Sequence, residues 1–370
     1  MKKVLFIFGT RPEAIKMAPL VRELEKDAQA FEVKVCITAQ HREMLDQVLD
    51  FFSIKPDFDL QIMQPGQSLF DITSKAIKAL EPVLDKCKPD VVLVQGDTTT
   101  AFVGALAAFY KKIKVGHVEA GLRSFDRYSP FPEEMNRKLV TSLTDYFFAP
   151  TQKAADNLFH ENIHDNVFIT GNTVIDALLT GKEMIENDQK IAGTFSFLDI
   201  KKKIILVTGH RRESFGKPFE DFCNAIAAIA STYPEVQIIY PVHLNPNVQE
   251  PVRRILSDLK NVFLIEPVEY PSMIWLMHHC YFVLTDSGGV QEEAPSLGKP
   301  VLVTREVTER TEGIDAGTAM LVGTNKENII RYSTLLMEDQ DFYNKMANAV
   351  NPYGDGTTSK QIADILKEKL

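Results

Sequence analysis

Cysteine is scarce in this 370-residue chain: Cys36, Cys87, Cys223 and Cys280 lie far apart and lack CxxC spacing. That argues against a disulfide framework or a dithiol redox motif and points to buried free thiols in a reducing compartment. No apolar run approaches the ~18 residues of a membrane-spanning helix. The start, MKKVLFIF, has too short an apolar stretch for a signal peptide and leads directly into a turn. A cytoplasmic protein with no membrane partner is expected. Positive charge is not in excess. The formal net charge is -9, which argues against a nucleic-acid partner. GxGxxG and GxxxxGK[ST] are both missing, which weakens dinucleotide-redox and nucleoside-triphosphatase readings. No His/Cys cluster has zinc spacing, and no DxD motif offers to hold a magnesium diphosphate. No metal or cofactor is expected.

What is present is an alternation. Residues 4–8 (VLFIF) are a continuous apolar run, Gly9-Thr10 a turn, and 14–26 a helix. Further strands are expected at 33–39, 90–95, 114–118, 146–149 and 167–169, with helices at 42–52, 68–87, 98–110, 132–144 and 151–161 between them. Near-continuous apolar strands alternating with helices mean a parallel sheet covered on both faces. The first domain is placed at 1–172. Residues 173–200 begin helical, turn polar and read as a linker. A second domain, 201–355, repeats the alternation from KKIILVTGH (202–210), with 301–305 as its last clear strand and helices near 326–348. A capped C-terminal helix over 359–369, within segment 356–370, is expected to pack back on the first domain. The fold class is α/β, with two doubly wound domains. Open parallel sheets bind ligands beyond the C-terminal ends of their strands, so the loops there are expected to line one cleft.

Those loops carry the polar chemistry. In the second domain, Thr285-Asp286-Ser287-Gly288-Gly289 follows a strand and precedes a helix, so backbone N–H groups and a hydroxyl can face an anion. The plainer reading is a tight turn. Glu292 lies one turn further, where a carboxylate can accept ribose hydroxyls. His210, Arg211 and Arg212 follow another strand, a costly row of cations unless solvated or paired with an anion. His243 either pairs with a phosphate or caps a turn. In the first domain Arg11 opens a helix, an unfavourable end for a cation unless an anion offsets it, and Lys16 lies about one turn on. Asp97 and Glu119 follow buried strands, where desolvation and mutual repulsion would separate one acid from one base. His117 and Arg123 add donors nearby. Glu133 and Glu134 read first as simple helix-capping acids. Together these features describe a phosphate-bearing ligand and acid/base chemistry supplied mainly by the first domain.

FGTRPE (8–13), QGDT (95–98), HVEAGLR (117–123), PFPEEMNR (130–137), TGNTVID (170–176), GHRRESFG (209–216), TDSGGVQEEAP (285–295) and NPYGDG (351–356) occur in this order across essentially the whole chain. In these segments the chain resembles the non-hydrolysing UDP-N-acetylglucosamine 2-epimerases. The resemblance implies two Rossmann-like domains facing across a cleft, a GT-B-like glycosyltransferase fold. It implies the reaction UDP-GlcNAc ⇌ UDP-ManNAc through an enzyme-bound 2-acetamidoglucal, in a homodimer and without a cofactor. It assigns Asp97, Glu119, Glu133 and His210 to catalysis. Arg11, Lys16, Arg211, Ser287, Gly288 and Gly289 fall to the diphosphate, His243 to a position near UDP, Glu292 to the ribose, and Arg310 to an added charge near the nucleotide. Met273 stands where members often carry a phenylalanine stacked on uracil, and Val307 where a threonine is commoner. Gln40, His41, Arg42, Met44, Gln47 and Gln67 resemble a second UDP-GlcNAc site, that of an allosteric activator.

Three other readings share parts of this pattern. A glycosyltransferase of the same fold would need an acceptor. A hydrolysing epimerase would release ManNAc and UDP. A sugar-nucleotide sensor would have no use for Asp97, Glu119, Glu133 and His210 together.

Overall fold

A computed structural model describes residues 1–38, 42–62, 64, 66–186 and 188–370, with backbone alone at 42 and 43. The chain forms two compact units, Met1–Thr180 with Tyr353–Leu370, and Gly181–Pro352.

The first unit runs β1 (Lys2–Phe8), α1 (Arg11–Glu25), β2 (Phe31–Ile37), α2 (Arg42–Phe51), β3 (Phe58–Asp59), α3 (Leu69–Cys87), β4 (Val91–Gln95), α4 (Thr99–Tyr110), β5 (Lys114–Val118), α5 (Glu133–Leu143), β6 (Tyr146–Ala149), α6 (Gln152–His160) and β7 (Val167–Ile169). All strand pairs are parallel, in the order β3-β2-β1-β4-β5-β6-β7. Every residue of β4 is buried, as its unbroken apolar run demands. α4 sits close on the sheet because Gly104 leaves no bulk there: a Cβ would lie 3.1 Å from Val94 and 3.2 Å from Ile7.

α7 (Thr173–Ile185) carries the chain from the first unit into the second. There follow α8 (Gln189–Thr194), β8 (Ile204–Thr208), α9 (Lys217–Thr232), β9 (Gln237–Pro241), α10 (Pro246–Leu256), β10 (Val262–Ile265), α11 (Tyr270–His279), β11 (Phe282–Thr285), α12 (Gly288–Glu293), β12 (Val301–Val303), α13 (Thr311–Asp315), β13 (Ala319–Leu321), α14 (Lys326–Glu338) and α15 (Gln340–Ala347). The second sheet is also parallel, ordered β10-β9-β8-β11-β12-β13.

α16 (Thr358–Lys369) belongs to the first unit. Its first turn is tied to α7, where Asp176 Oδ1 accepts the Ser359 N–H at 2.7 Å. Just before it, Tyr353 C=O accepts the Asn172 N–H at 2.6 Å. The TGNTVID and NPYGDG segments therefore form one joint.

Several expectations need correcting. The 173–200 stretch is largely helical, with α7 continuing past Thr180 and Asp188 capping α8. The strand at 301–305 is not the last, because β13 adds an edge. The helices expected near 326–348 are α14 and α15, parted at Asp339, whose side chain caps α15. All four cysteines are buried and free. Among the described residues no helix is long and apolar enough to cross a membrane.

Each sheet has one place where the strand order reverses direction, between β1 and β4 in the first and between β8 and β11 in the second. Chains leaving two adjacent strands in opposite directions open a crevice there, the usual ligand position of such sheets. The turns after these four strands are 9–10, 96–98, 209–211 and 286–287.

Candidate active site

In the first unit's crevice the turn after β1 is tight. A Cβ on Gly9 would stand 1.9 Å from Thr38 Oγ1. Glu13, in the first turn of α1, is buried beneath it. One carboxylate oxygen accepts the Gly9 and Thr10 N–H groups, at 3.0 and 2.8 Å, and the other accepts the Thr98 hydroxyl at 2.6 Å. Burial raises the Glu13 carboxyl despite these donors. Glu13 thus joins the turn that carries Arg11 to the turn that carries Asp97. Arg11 is partly exposed at the first residue of α1 and has no ion pair among the described residues.

Asp97 and Glu119 lie just beyond neighbouring strands β4 and β5. The mutual repulsion expected of them is replaced by two separate ion pairs. Asp97 pairs with Arg137 of α5 at 2.5 Å, and Arg137 also meets buried Glu134 at 3.1 Å. Asn136 holds the Asp97 carbonyl at 2.9 Å. Glu119 is buried and has φ +66°, the left-handed region that a non-glycine residue rarely adopts without a functional reason. Lys16 Nζ reaches both of its oxygens, at 2.6 and 2.7 Å. Gln95 Nε2 and, at 3.2 Å, Asn172 Nδ2 also donate to it. Lys16, expected at the diphosphate, is therefore engaged with Glu119.

Glu134, expected as a helix cap like its neighbour, accepts the Ser124 and Phe125 N–H groups and so braces the preceding loop. Glu133 opens α5 and makes no cap; its Oε2 is buried with no hydrogen-bond partner. His117 Nε2 lies 2.8 Å from the Gly96 carbonyl, while burial pushes the imidazole down to about 4. Neutral His117 therefore donates to Gly96. Arg123 does not serve this crevice. Its guanidinium is fully covered and bonded to Glu161, Thr141 and the Leu122 carbonyl.

In the second unit, His210, Arg211, His243, Ser287 and Gly288 line one recess of about 450 Å3, with Arg212, Glu213 and Asn245. Asp286, buried, braces the loop that carries two of these residues. Its Oδ2 accepts the backbone N–H of His210 at 2.6 Å and of Arg211 at 2.8 Å, and its carbonyl accepts Arg211 Nε at 3.1 Å. The His210 and His243 rings lie parallel, 5.1 Å apart. His243 Nδ1 accepts the Asn245 N–H at 3.1 Å, so it does cap a turn, and the neutral ring carries its proton on Nε2. Burial first, and His210 second, lower the His243 imidazole.

Ser287 makes no side-chain cap bond to α12. Arg310 lies against Gly288, where a Cβ would stand 3.1 Å from its Cζ. Its guanidinium bonds Glu292 at 2.8 Å and Glu309 at 2.7 Å. Glu292, expected on the ribose, is thus buried in an ion pair. Gly289 follows Gly288 at the start of α12. Met273, partly buried on α11, is not among the side chains lining the recess.

Of the expected second ligand site, Gln40 and His41 lie outside the described residues, as does the side chain of Arg42. Met44 and Gln47 are exposed on α2. Gln67 accepts the Gln64 N–H at 2.8 Å and donates to the Ile62 carbonyl at 2.8 Å.

This geometry can be set beside known proteins. The family model for UDP-N-acetylglucosamine 2-epimerase matches residues 22–367. The chain is 59% identical to the Escherichia coli K12 UDP-N-acetylglucosamine 2-epimerase over 370 residues, covering 99% of this chain and 98% of that protein.

The chain belongs to the UDP-N-acetylglucosamine 2-epimerase family.

Solved structures of the epimerase family agree in fold. The Neisseria meningitidis UDP-GlcNAc 2-epimerase bound to UDP-GlcNAc superposes with a TM-score of 0.91 at 52% identity, over 99% of this chain and 100% of that one. Staphylococcus aureus MnaA, in a co-structure with UDP, gives 0.87 at 50% identity, over 100% and 97%. Like these two structures, the chain has two Rossmann-like units of the GT-B-like class. Sequence reasoning passed over four residues of its crevices: Glu13, Gln95, Arg137 and Asp286. Gln95 and Asp286 were visible within quoted motifs, as polar residues at the ends of apolar strands. Arg137 carried no such signal, because its partner lies 40 residues away.

Proposed function

We propose that this protein interconverts UDP-N-acetylglucosamine and UDP-N-acetylmannosamine by non-hydrolysing epimerisation at C2. The observation that carries the reading is Glu119: a buried carboxylate in left-handed backbone, bonded by Lys16, Gln95 and Asn172, one strand from Asp97. A carboxylate fixed so firmly is preorganised for proton transfer. Family membership over the whole chain supports the same reading, as does the UDP-GlcNAc bound by the Neisseria relative.

The C2 proton of the sugar is weakly acidic, because no ketone is adjacent. In the proposed route a carboxylate takes that proton as the C1–O bond to UDP breaks. The electron pair of the C2–H bond forms the C1=C2 bond of 2-acetamidoglucal, and UDP departs with the C1–O pair. A proton delivered to the opposite face of C2, with UDP oxygen returning to C1, gives the epimer. Atoms balance without a cofactor.

Asp97, Glu119, Glu133 and His210 are the proton-transfer set. The unpartnered Oε2 of Glu133 supports its inclusion over a capping role. Arg11, Lys16, Arg211, Ser287, Gly288 and Gly289 serve the diphosphate, with Lys16 also paired with Glu119. His243 offers Nε2–H beside UDP, Glu292 and Arg310 act as a pair near the ribose, and Met273 covers uracil. Retaining UDP between the two halves of the reaction prevents loss of the glucal.

The test is incubation of UDP-GlcNAc with the protein in heavy water, followed by NMR. Deuterium should enter C2 of both epimers without an added acceptor. Free ManNAc with UDP, or no exchange at C2, would overturn the reading. A homodimer activated by a second UDP-GlcNAc belongs to the same proposal. With UDP-ManNAc alone as substrate, the velocity should then show a lag that added UDP-GlcNAc abolishes; a linear, unstimulated time course would remove the activation.

A further inference from the structure

Behind the His210 loop of the second unit's recess lies a buried carboxylate that the proposed reaction does not use. Asp286 is buried, yet its two oxygens differ. Oδ2 accepts the two backbone N–H groups of His210 and Arg211. Oδ1 is buried with no hydrogen-bond partner. An unmatched buried carboxylate oxygen is costly, on the order of 1–3 kcal/mol or more, so it asks for a donor. His210 Nδ1 lies 3.6 Å from it, too far for a hydrogen bond but within reach of a small ring rotation. His243, stacked parallel to His210, limits that motion to the ring's own plane and axis.

The other charged groups around His210 leave this pairing intact. Arg211, Arg212 and Glu213 come from its own loop, and His243 and Asp286 from two others. Arg211 has carboxylates of its own in Glu213 and Glu309, at 3.9 and 3.8 Å. His243 already uses Nδ1 on Asn245.

We propose that Asp286 is the positioning residue of His210: its Oδ1 accepts the His210 Nδ1–H, which fixes the tautomer and presents unprotonated Nε2 to the ligand. The inference rests on the reading of His210 as a proton-transfer group. A carboxylate that only braced the turn could be replaced by asparagine. The Asn oxygen would accept the same two backbone N–H groups. Its amide N–H would then face Nδ1, which must turn acceptor, so the proton moves to Nε2. In a carboxylate–imidazole pair that inversion abolishes most of the catalytic benefit.

The experiment uses the full-length protein with 15N-labelled histidine and bound UDP, at a pH that leaves the imidazole neutral; His210→Gln assigns the signal. Wild type should show the Nδ1–H tautomer. Asp286→Asn should show Nε2–H, with kcat down at least ~10²-fold and UDP affinity within a few-fold of wild type. An Nε2–H tautomer in wild type overturns the inference, and this measurement decides alone should the variant not fold. A folded variant with an unchanged tautomer, or with undiminished kcat, overturns it equally. A protein that exchanges no deuterium at C2 refutes the epimerase reading instead and leaves the tautomer result standing.

Discussion

The two crevices are assembled from the same part, a strand, a tight turn and a helix, yet they treat charge in opposite ways. In the first unit three of the acids are matched from within. Glu119 has Lys16, Gln95 and Asn172, Asp97 has Arg137, and Glu13 has two N–H groups and a hydroxyl. In the second unit the donors His210 and Arg211 face outward. Side-chain exposure is 46% at His210 and 31% at Arg211, against 5% at Glu119. A dry, internally matched group pays its reorganisation in folding and is ready for proton transfer. An exposed row of donors above a buried acid is ready to receive an anion. The difference fits the proposed reading, in which most of the acid/base groups lie in the first unit and most of the anion donors in the second, with Arg11, Lys16 and His210 crossing that line.

The largest effect that would break this comparison comes from Glu119. Glu119→Gln removes the proton acceptor yet keeps the shape. Turnover should fall at least ~10²-fold while UDP binding, measured by calorimetry, stays near wild type. Comparable losses of both would mean that Glu119 itself holds the nucleotide in place, and the division of labour would be lost. Wild-type turnover would remove Glu119 from the proton-transfer set.

Next comes the dryness of the first crevice, which His117 reports. Its imidazole is pushed down to about 4, against 6.5 unperturbed, chiefly by burial. The folded state therefore favours neutral His117. Its contribution to stability is fully present above 6.5 and is lost as pH falls from 6.5 through about 4, because the unfolded chain takes the proton first. Complete loss amounts to about 3 kcal/mol. His117→Asn should give a less stable protein whose unfolding free energy, followed by urea titration, varies less across that interval. An identical slope in both proteins would show that the crevice admits water at His117.

Much of this arrangement was legible because it is local. Gly9-Thr10, Asp97, His210-Arg211 and Ser287-Gly288 could be placed at strand ends from apolar runs and turn residues alone. What escaped was pairing across sequence. Nothing near Asp97 announces Arg137, and nothing near Glu119 announces Lys16, 103 residues earlier. Arg123 was misread for the same reason, since its partners Thr141 and Glu161 come from later segments. The short edge strands β3 and β13, of two and three residues, lack a pattern long enough to read. Asp286 was visible but was taken as part of a glycine turn, because the burial of one oxygen has no signature in sequence.

The smallest expected effect sharpens the other side of the comparison. Met273 lies on α11 of the second unit, so under this division of labour it touches affinity alone. A thioether covers a ring face adequately, whereas a phenyl ring stacks on it with a better-defined geometry. Met273→Phe should therefore strengthen UDP binding by about 0.5–1 kcal/mol, a roughly two- to fivefold fall in Kd. KM should fall with it while kcat holds, the pattern of an interaction equal in ground and transition states. A change in kcat would be the informative failure, because a uracil contact alters the chemical step only if nucleotide retention and proton transfer are coupled more tightly than the two crevices suggest.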